Sequence, residues 1–369
     1  MKKVGIITFH YAYNFGSKLQ AYALQTYLKQ IGYGAKIINY IYDFDMYQYR
    51  LFHWTSYRER PKRLFRDVLT LSKKIQRKKK FDDFDRKYLD LTKEYHDCDS
   101  IKELNSHFDA YIAGSDQIWN TDCTCAVVPA YFLDFAKDTH IFKMAYAPSI
   151  AHDKIDKKYI AEFQNGIRNF NVLSVRENTG KTLCQKLTDK PVSQIDDPVF
   201  LLTAQQYKNI SSPIRNVKKN NYIFVYTLEK NQELIEYAKR VSVQNNLTIV
   251  YFSEFKIRDF GKNSINIFNQ GPLQFLWLVD NARFVITNSF HATAFSVIFL
   301  KQFVTFLTNK SGSRMKDFLG KFELENRIYR EGININCQIN TAAVNRRLLQ
   351  EQNRCREFLC NSLMEWVGL

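Results

Sequence analysis

The sequence predicts an α/β protein built from two Rossmann-like domains that face each other across a cleft. Short apolar runs alternate with amphipathic helical stretches along most of the chain. The 369 residues exceed the roughly 100–200 of one ordinary domain, and a polar stretch at 208–221 interrupts the alternation. A hydrophobic content of 45% is enough for two packed cores.

The first alternation begins at the N-terminus. The apolar run KVGIITF predicts a buried strand, SKLQAYALQTYLKQIG predicts a helix that ends at Gly32, and GAKIINY predicts the next strand. Parallel strands present ligands at their carboxyl ends, so the loop HYAYNFGS between the first strand and its helix is a candidate binding loop. It contains His10, Asn14, Gly16 and Ser17.

Three further apolar runs end in polar or charged residues, as strands that deliver side chains to a site would. They are FDAYIAGSDQIWN at 108–120, FKMAYAPSI at 142–150 and NVLSVREN at 171–178. The alternation restarts at 221 with NYIFVYTL and continues through SFHATAFSVIFL and QFVTFL. We therefore place an N-terminal domain at 1–205, a C-terminal domain at 206–340 and one or two C-terminal helices at 341–369.

The net charge of +16 is concentrated in one segment. Residues 58–80 hold eleven Lys or Arg against two acids, and Leu64, Val68, Leu71 and Ile75 recur there at helical spacing. Together with the helical stretch KKFDDFDRKYLDLT, this predicts a basic helical insert at about 55–92. Such a helix either lies on an anionic membrane surface or docks on its own domain with the charges solvated.

Several classes of site are disfavoured by composition. The seven cysteines form no CxxC pair or Cys/His quartet, so we expect reduced thiols and no structural zinc site. We also expect no other metal and no cofactor. No known nucleic-acid-binding module is visible. The apolar run after Met1-Lys2-Lys3 is too short for a signal peptide, and no stretch approaches a membrane span. We expect a cytoplasmic protein, at most peripheral at the inner face of the membrane.

The stretch NSFHATAFSVIF places a histidine at the start of a predicted helix. Free amides at such a start bind anions, Ser289 is a candidate N-cap, and His291 would lie in the first turn beside Asn288. The alternative is a hydrogen-bonded structural histidine.

Arg176 ends a predicted strand, where a guanidinium suits carboxylate or phosphate; the alternative is an ion pair with Glu177 or a nearby acid. Arg314 begins a predicted helix and is either an anion ligand or a solvated surface residue. The GSDQIWN stretch combines donors and acceptors with an aromatic plane, which suits a sugar platform or, equally, a hydrogen-bonded turn. Its candidate residues are Asp116, Gln117, Trp119 and Asn120.

These motifs occur together in a recognisable order. They are GIITFHYAYNFGSKLQAYALQ, DAYIAGSDQIWN, AYAPSI, LSVREN, DDPVFLL, ITNSFHATAFSVIF and SRMKDFL, spanning about 4–320. The series resembles the polysaccharide pyruvyl transferase family. The resemblance implies a fold similar to that of GT-B glycosyltransferases and transfer of pyruvate from phosphoenolpyruvate onto a sugar, usually as a cyclic ketal.

The resemblance also implies roles for individual residues. The C-terminal domain would bind the donor, with His291, Ser289 and Arg176 at its anionic groups and Arg314 as a weaker match. Asn288 joins this donor set by position, and the N-terminal loops would bind the acceptor. Where the family commonly has glycine after the histidine, this chain has Ala292, whose methyl limits close approach of the backbone to a ligand.

The reaction needs an acid and a base. We predict that His291 contacts the phosphate and donates the proton, that Asp116 is the base, and that His10 is an outside candidate. The acceptor is expected on a polyprenyl diphosphate carrier. Two alternatives stay open: a nucleotide-sugar glycosyltransferase, for which DFD at 43–45 and 83–85 mimics a metal motif, and a non-catalytic polyanion-binding protein.

Overall fold

The computed structural model describes residues 1–42, 61–253, 260–308 and 312–368. The chain divides into two compact units. The first holds the described residues within Met1–Tyr49, Asp85–Leu202 and Gln350–Leu369; the second holds those within Arg50–Phe84 and Thr203–Leu349. The sequence predicted consecutive segments, whereas the units are interleaved along the chain, because two long helices each pass from one unit into the other.

The first unit is built on a parallel sheet of seven strands in the order β3-β2-β1-β4-β5-β6-β7. The strands are β1 (Lys3–Ile7), β2 (Gly34–Tyr40), β3 (Leu91–Tyr95), β4 (Ala110–Ala113), β5 (Phe142–Ala145), β6 (Val172–Val175) and β7 (Val192–Gln194). All six neighbouring pairs are parallel. The carboxyl ends therefore share one edge of the sheet, where the polar motifs begin.

Helices connect these strands. They are α1 (Phe15–Gln30), α2 (Pro61–Tyr88), α3 (Thr121–Thr124), α4 (Ile160–Arg168) and α5 (Asn178–Gln185). Helix α1 begins at Asn14, whose side chain accepts hydrogen bonds from the amides of Gly16 and Ser17. The whole of β4 is buried, as expected of a parallel strand that is covered on both faces.

The second unit is built on a smaller parallel sheet with the order β10-β9-β8-β11-β12. Its strands are β8 (Tyr222–Tyr226), β9 (Thr248–Phe252), β10 (Ser264–Asn266), β11 (Phe284–Thr287) and β12 (Phe303–Thr305). Its helices are α6 (Ala204–Ile210), α7 (Gln232–Asn245), α8 (Pro272–Asn281), α9 (Phe290–Ile298) and α10 (Gly312–Gly320). Both units thus show the strand–helix alternation with parallel sheets that the sequence predicted, and the α/β class is confirmed.

The basic segment forms one long helix, α2, which includes both helical stretches predicted there. The helix ends at Tyr88, however, and Leu91–Tyr95 forms β3. The predicted helical insert to residue 92 was therefore wrong at its end, because this segment pairs in parallel with the outer side of β2. Residues 55–60, the start of the predicted insert, lie outside the described residues. The C-terminal stretch is one helix, α11 (Thr341–Gly368).

Candidate active site

The loops after β4 and β1 meet at the carboxyl edge of the first sheet. Gly114 follows β4 with φ +126°, and a Cβ there would lie 2.1 Å from the carbonyl oxygen of Tyr146. Two residues further on, Asp116 accepts a hydrogen bond from the Ser17 hydroxyl at 2.5 Å and another from the Gln117 amide at 2.9 Å. A close backbone approach that only glycine permits therefore presents Asp116 to the start of α1.

Asp116 is only 6% exposed, and both of its carboxylate oxygens accept hydrogen bonds. Ser17 is 4% exposed, and Asn14 uses its side-chain oxygen to cap α1. The structure brings these sequence-predicted residues together. Their hydrogen bonds join the first loop to the loop after β4, and most of their polar groups take part in these bonds.

Arg176 follows β6 and is buried among carboxylates. Its Nη1 donates to Asp197 Oδ2 at 2.8 Å, and its Nε lies 3.5 Å from Glu177 Oε1. The side chain is 2% exposed. Burial alone would lower the pKa of the guanidinium, but Glu177, Asp197 and Asp116 outweigh that effect and raise it. This is the ion pair that the alternative interpretation of Arg176 expected.

His10 is buried within the first unit. Its Nδ1 lies 3.1 Å from the Thr8 carbonyl oxygen and its Nε2 lies 2.9 Å from Asn39 Oδ1. Burial, followed by the nearby Lys18 cation, lowers the pKa of His10 to about 4. With 1% exposure and both ring nitrogens in contact with the protein, His10 is placed as a structural residue.

Trp119 does not provide the open aromatic face that a sugar platform requires. Its ring is 2% exposed and stacks on Phe132, with centroids 5.0 Å apart and planes at 1°. The edges of Phe163 and Phe170 close the remaining sides, and the indole N–H donates to the Tyr131 carbonyl at 3.1 Å. This placement corrects the interpretation of Trp119 as an acceptor-binding residue: it belongs to the core.

Gln117 and Asn120 lie beside a histidine that the sequence analysis did not single out. The Asn120 Nδ2 group donates to Gln117 Oε1 at 2.7 Å, while Asn120 Oδ1 accepts from the Asp122 amide at 3.0 Å. His152 Nε2 lies 3.0 Å from the same Oδ1 and 3.2 Å from Asp122 Oδ2. The available signal was PSIAHD, a histidine soon after a strand, but its partners come from another loop.

The second unit presents the other candidates at the start of α9. Ser289 is the N-cap residue, as predicted, but its hydroxyl makes no capping hydrogen bond. The Ser289 amide instead donates to the Thr287 hydroxyl at 3.0 Å, and its carbonyl accepts from Thr293. The predicted capping bond was therefore wrong. Helix starts leave amides that their own turns cannot satisfy, and here the cap side chain does not cover them.

His291 and Arg314 both lie against one aromatic ring. The His291 imidazole meets the Phe290 ring edge-to-face with centroids 5.4 Å apart, and the Arg314 guanidinium lies 5.6 Å from the same ring. His291 is partly exposed, unlike the residues that follow it in α9. A histidine, an arginine and the positive end of a helix are thus gathered at the carboxyl edge of this sheet, which suits an anionic ligand.

Asn288 holds the neighbouring loop. Its Oδ1 accepts from the Leu228 amide at 2.9 Å, and its Nδ2 donates to the Glu229 carbonyl at 3.5 Å. Asn288 therefore fastens the loop after β8 to the start of α9. Ala292 is fully buried, so its methyl packs inside the unit.

The profile of the polysaccharide pyruvyl transferase family matches residues 14–311. The match covers most of the chain and includes both groups of polar loops. The chain belongs to the polysaccharide pyruvyl transferase family. In this pyruvyl transferase the donor candidates Asn288, Ser289, His291 and Arg314 lie in the second unit, whereas Arg176 and all acceptor candidates lie in the first.

Solved structures of other proteins are similar in fold to this pyruvyl transferase. UDP-N-acetylglucosamine 2-epimerase from Rickettsia bellii matches with a TM-score of 0.54 and 10% identity, covering 100% of this chain and 97% of that one. UDP-GlcNAc 2-epimerase from Neisseria meningitidis, bound to UDP-GlcNAc, matches with a TM-score of 0.53 and 9% identity, covering 99% and 100%. The likeness confirms the predicted pair of Rossmann-like domains, and at such identities it concerns the fold alone. A search of curated proteins gave no match.

In the described part of the chain, no group of three or more His, Cys, Asp or Glu side chains could hold a metal ion, and no helix is long and apolar enough to cross a bilayer. Of the two DFD motifs, 43–45 lies outside the described residues, and 83–85 lies within α2. There Asp85 is paired with the buried Lys18 at 2.6 Å.

Proposed function

We propose that this pyruvyl transferase moves pyruvate from phosphoenolpyruvate onto a sugar of a bacterial surface polysaccharide precursor, as a cyclic ketal. Membership of the family supports the transfer of a pyruvyl group. The observation that carries the choice of donor is the start of α9, where His291 and Arg314 flank Phe290 beside amides that Ser289 does not cap. Phosphoenolpyruvate carries a carboxylate and a phosphate, and it needs such a cationic site.

The chemistry requires one proton donor at the methylene carbon of the donor. Protonation there makes the adjacent carbon electrophilic, a sugar hydroxyl attacks it, phosphate leaves and a second hydroxyl closes the ketal. We assign His291 to the phosphate and to this proton donation, because an imidazole in the first turn of α9 can both contact an anion and act as a general acid. Ser289 and Arg314 would hold the anionic groups, with Asn288 keeping the adjacent loop in place.

Arg176 has a different role in this proposal from the one that the family resemblance implies. Its guanidinium is occupied by Asp197 and Glu177 in the first unit. We assign it to positioning the loops after β6 and β7, and Asp116 to joining the loop after β4 to α1. No cofactor is invoked beyond the donor substrate.

The assay that tests the proposal follows free phosphate and sugar mass together. The protein is incubated with phosphoenolpyruvate and a panel of 4-nitrophenyl glycosides that offer vicinal or 1,3-hydroxyl pairs. We expect phosphate release with a matching gain of one pyruvyl ketal on a glycoside. His291→Asn should lower kcat/KM by about 10²–10⁴-fold, the usual contribution of a positioned acid. The matched control is His140→Ala, at an exposed position of the other unit.

A nucleotide-sugar glycosyltransferase is the competing function, because one of the similar solved structures, an epimerase, is bound to the nucleotide sugar UDP-GlcNAc. Incubation with UDP-sugars in place of phosphoenolpyruvate separates the two. Release of UDP with transfer of its sugar onto a glycoside, and no phosphate from phosphoenolpyruvate, would overturn the proposal in favour of this alternative.

We further propose that the protein works at the cytoplasmic face of an anionic membrane on a polyprenyl-diphosphate-linked acceptor. Two features of α2 support contact with lipid. Val68, Leu69 and Ile75 are 56%, 67% and 49% exposed. Lys73, Lys78 and Lys79 are also exposed on the same helix. Docking on the protein's own domain would bury the predicted apolar stripe, but Val68 and Ile75 of that stripe are exposed. The side chain of Leu64 lies outside the described set.

A further inference from the structure

The hydrogen bonds around His152 determine which of its nitrogens carries the proton. The Asp122 backbone amide can only donate, so the Asn120 oxygen that receives it is an acceptor. His152 Nε2 faces that same oxygen at 3.0 Å and the Asp122 carboxylate at 3.2 Å. A neutral imidazole has one N–H, and Nε2 faces two acceptors. The proton therefore resides on Nε2, and Nδ1 is left with its lone pair.

Nδ1 is available to a substrate. The His152 side chain is 27% exposed, and Nδ1 makes no hydrogen bond within the described part of the chain. The carboxylate on Nε2 orients the ring and would stabilise the imidazolium that forms when Nδ1 takes a proton, which is the arrangement of an activated general base. Asp116, the base that the sequence suggested, has both carboxylate oxygens occupied.

A hydrogen-bond donor lies in the same network. The Gln117 side-chain oxygen accepts from Asn120 Nδ2 at 2.7 Å, which turns the Gln117 amide NH₂ group away from Asn120. Among the described residues, that NH₂ group has no partner. Asn120 thus ties a donor, Gln117, to an acceptor, His152. A pair of neighbouring sugar hydroxyls, each able to donate and accept, suits such a pair of groups.

We propose that His152 is the general base for the acceptor hydroxyl, positioned by Asp122 and Asn120; this inference rests on the proposed pyruvyl transfer. The hydroxyl oxygen bonds to the carbon that carries the phosphate, while its O–H bond breaks and the proton passes to Nδ1. The C–O bond to phosphate then breaks, and phosphate leaves with the electron pair. The second hydroxyl attacks the same carbon and gives its proton to the phosphate, which is released as hydrogen phosphate.

The protons balance over one turnover. The methylene carbon gains one proton and becomes a methyl group, and the proton held on Nδ1 returns to solvent and replaces the one that the acid donated. Two hydroxyl protons are therefore accounted for, one in the methyl group and one on the released phosphate. No oxidant, reductant or metal takes part.

The test uses the full-length protein with phosphoenolpyruvate and the 4-nitrophenyl glycoside on which the wild type is most active. His152→Ala should lower kcat by about 10²-fold or more with little change in the KM for phosphoenolpyruvate. Added imidazole should restore part of the lost kcat, because it can supply the missing base. Asp122→Asn should lower kcat to a smaller extent, and His140→Ala should behave as the wild type.

Rescue by imidazole separates a catalytic loss from a structural one, since a misfolded loop gains nothing from a small base. A His152→Ala variant that keeps more than half of the wild-type kcat, or one whose loss imidazole leaves untouched, overturns the assignment while pyruvyl transfer itself stands. A wild-type protein that releases no phosphate from phosphoenolpyruvate with any glycoside overturns the proposed function, and the role of His152 falls with it.

Discussion

His10 lies in the motif that opens the chain, yet its surroundings make it part of the core. It is buried between the Thr8 carbonyl and Asn39, and burial lowers its pKa to about 4. Arg176 shows the same pattern, with its guanidinium enclosed by Asp197 and Glu177. Both residue types suggested chemistry in the sequence. Burial, which no local pattern reports, assigns them to holding the fold.

The lowered pKa of His10 predicts how stability depends on pH. Above pH 6.5 the imidazole is neutral in both folded and unfolded chains, so it causes no pH dependence there. Between pH 6.5 and about 4 only the unfolded chain binds the proton, so stability falls as the pH is lowered. The shift corresponds to about 3 kcal/mol. Urea unfolding of the wild type and His10→Asn at pH 7 and pH 4 measures it.

In the His10→Asn variant this contribution to the pH dependence should vanish, although the variant is less stable at pH 7 because packing is lost. Equal loss of stability between pH 7 and pH 4 in both proteins would show that His10 is not the titrating group.

Helix α2 shows what sequence reasoning reached at the scale of an element and where it stopped. Its existence follows from helical spacing, but Arg77, one cation among many in the sequence, has its own partners. Its guanidinium lies 4.5 Å from the Phe252 ring centroid and 4.8 Å from that of Phe81, and it donates to the Phe268 carbonyl. Those contacts join parts of the chain that are distant in sequence, so no local sequence pattern could predict them.

Arg77→Ala should destabilise the protein by about 2 kcal/mol, the sum expected for a cation–π contact and a hydrogen bond. Lys79→Ala, two positions along at an exposed site, should change stability by less than about 0.5 kcal/mol. The midpoints of urea unfolding give both values. Equal effects of the two substitutions would mean that Arg77 is merely another solvated cation.

At the scale of the whole molecule, alternation of strands and helices was enough to predict two parallel-sheet units, and the ordered series of motifs indicated the family. The interleaving of those units was not predictable, because a helix that passes from one unit to the other looks locally like any other helix. Of the candidate site residues, Asp116, Ser17 and Gln117 do lie at one sheet edge. The burial of Trp119 could not be predicted, since the sequence does not distinguish a buried tryptophan from an exposed one.

The positive charge of the chain, much of it on α2, leads to a prediction about binding to anionic membranes. Replacing Lys73, Lys74, Lys78 and Lys79 by alanine leaves the contacts of Arg77 intact and removes four cations of α2. At about 1 kcal/mol per cation, the affinity for vesicles with 30% anionic lipid should fall by roughly 10²–10³-fold. Co-sedimentation measures it, with neutral vesicles as the control. Unchanged sedimentation of the variant would exclude α2 as the lipid-binding element.

Each unit also encloses an indole: Trp119 is 2% exposed in the first and Trp277 is 6% exposed in the second, where it stacks on Tyr222. Indole emission shifts to longer wavelength when water reaches the ring. When Trp54, Trp366 and one of the two enclosed tryptophans are changed to phenylalanine, the emission of the remaining tryptophan reports the unfolding of its own unit. Comparison of the two single-tryptophan variants would reveal whether the two units unfold in one step or in succession.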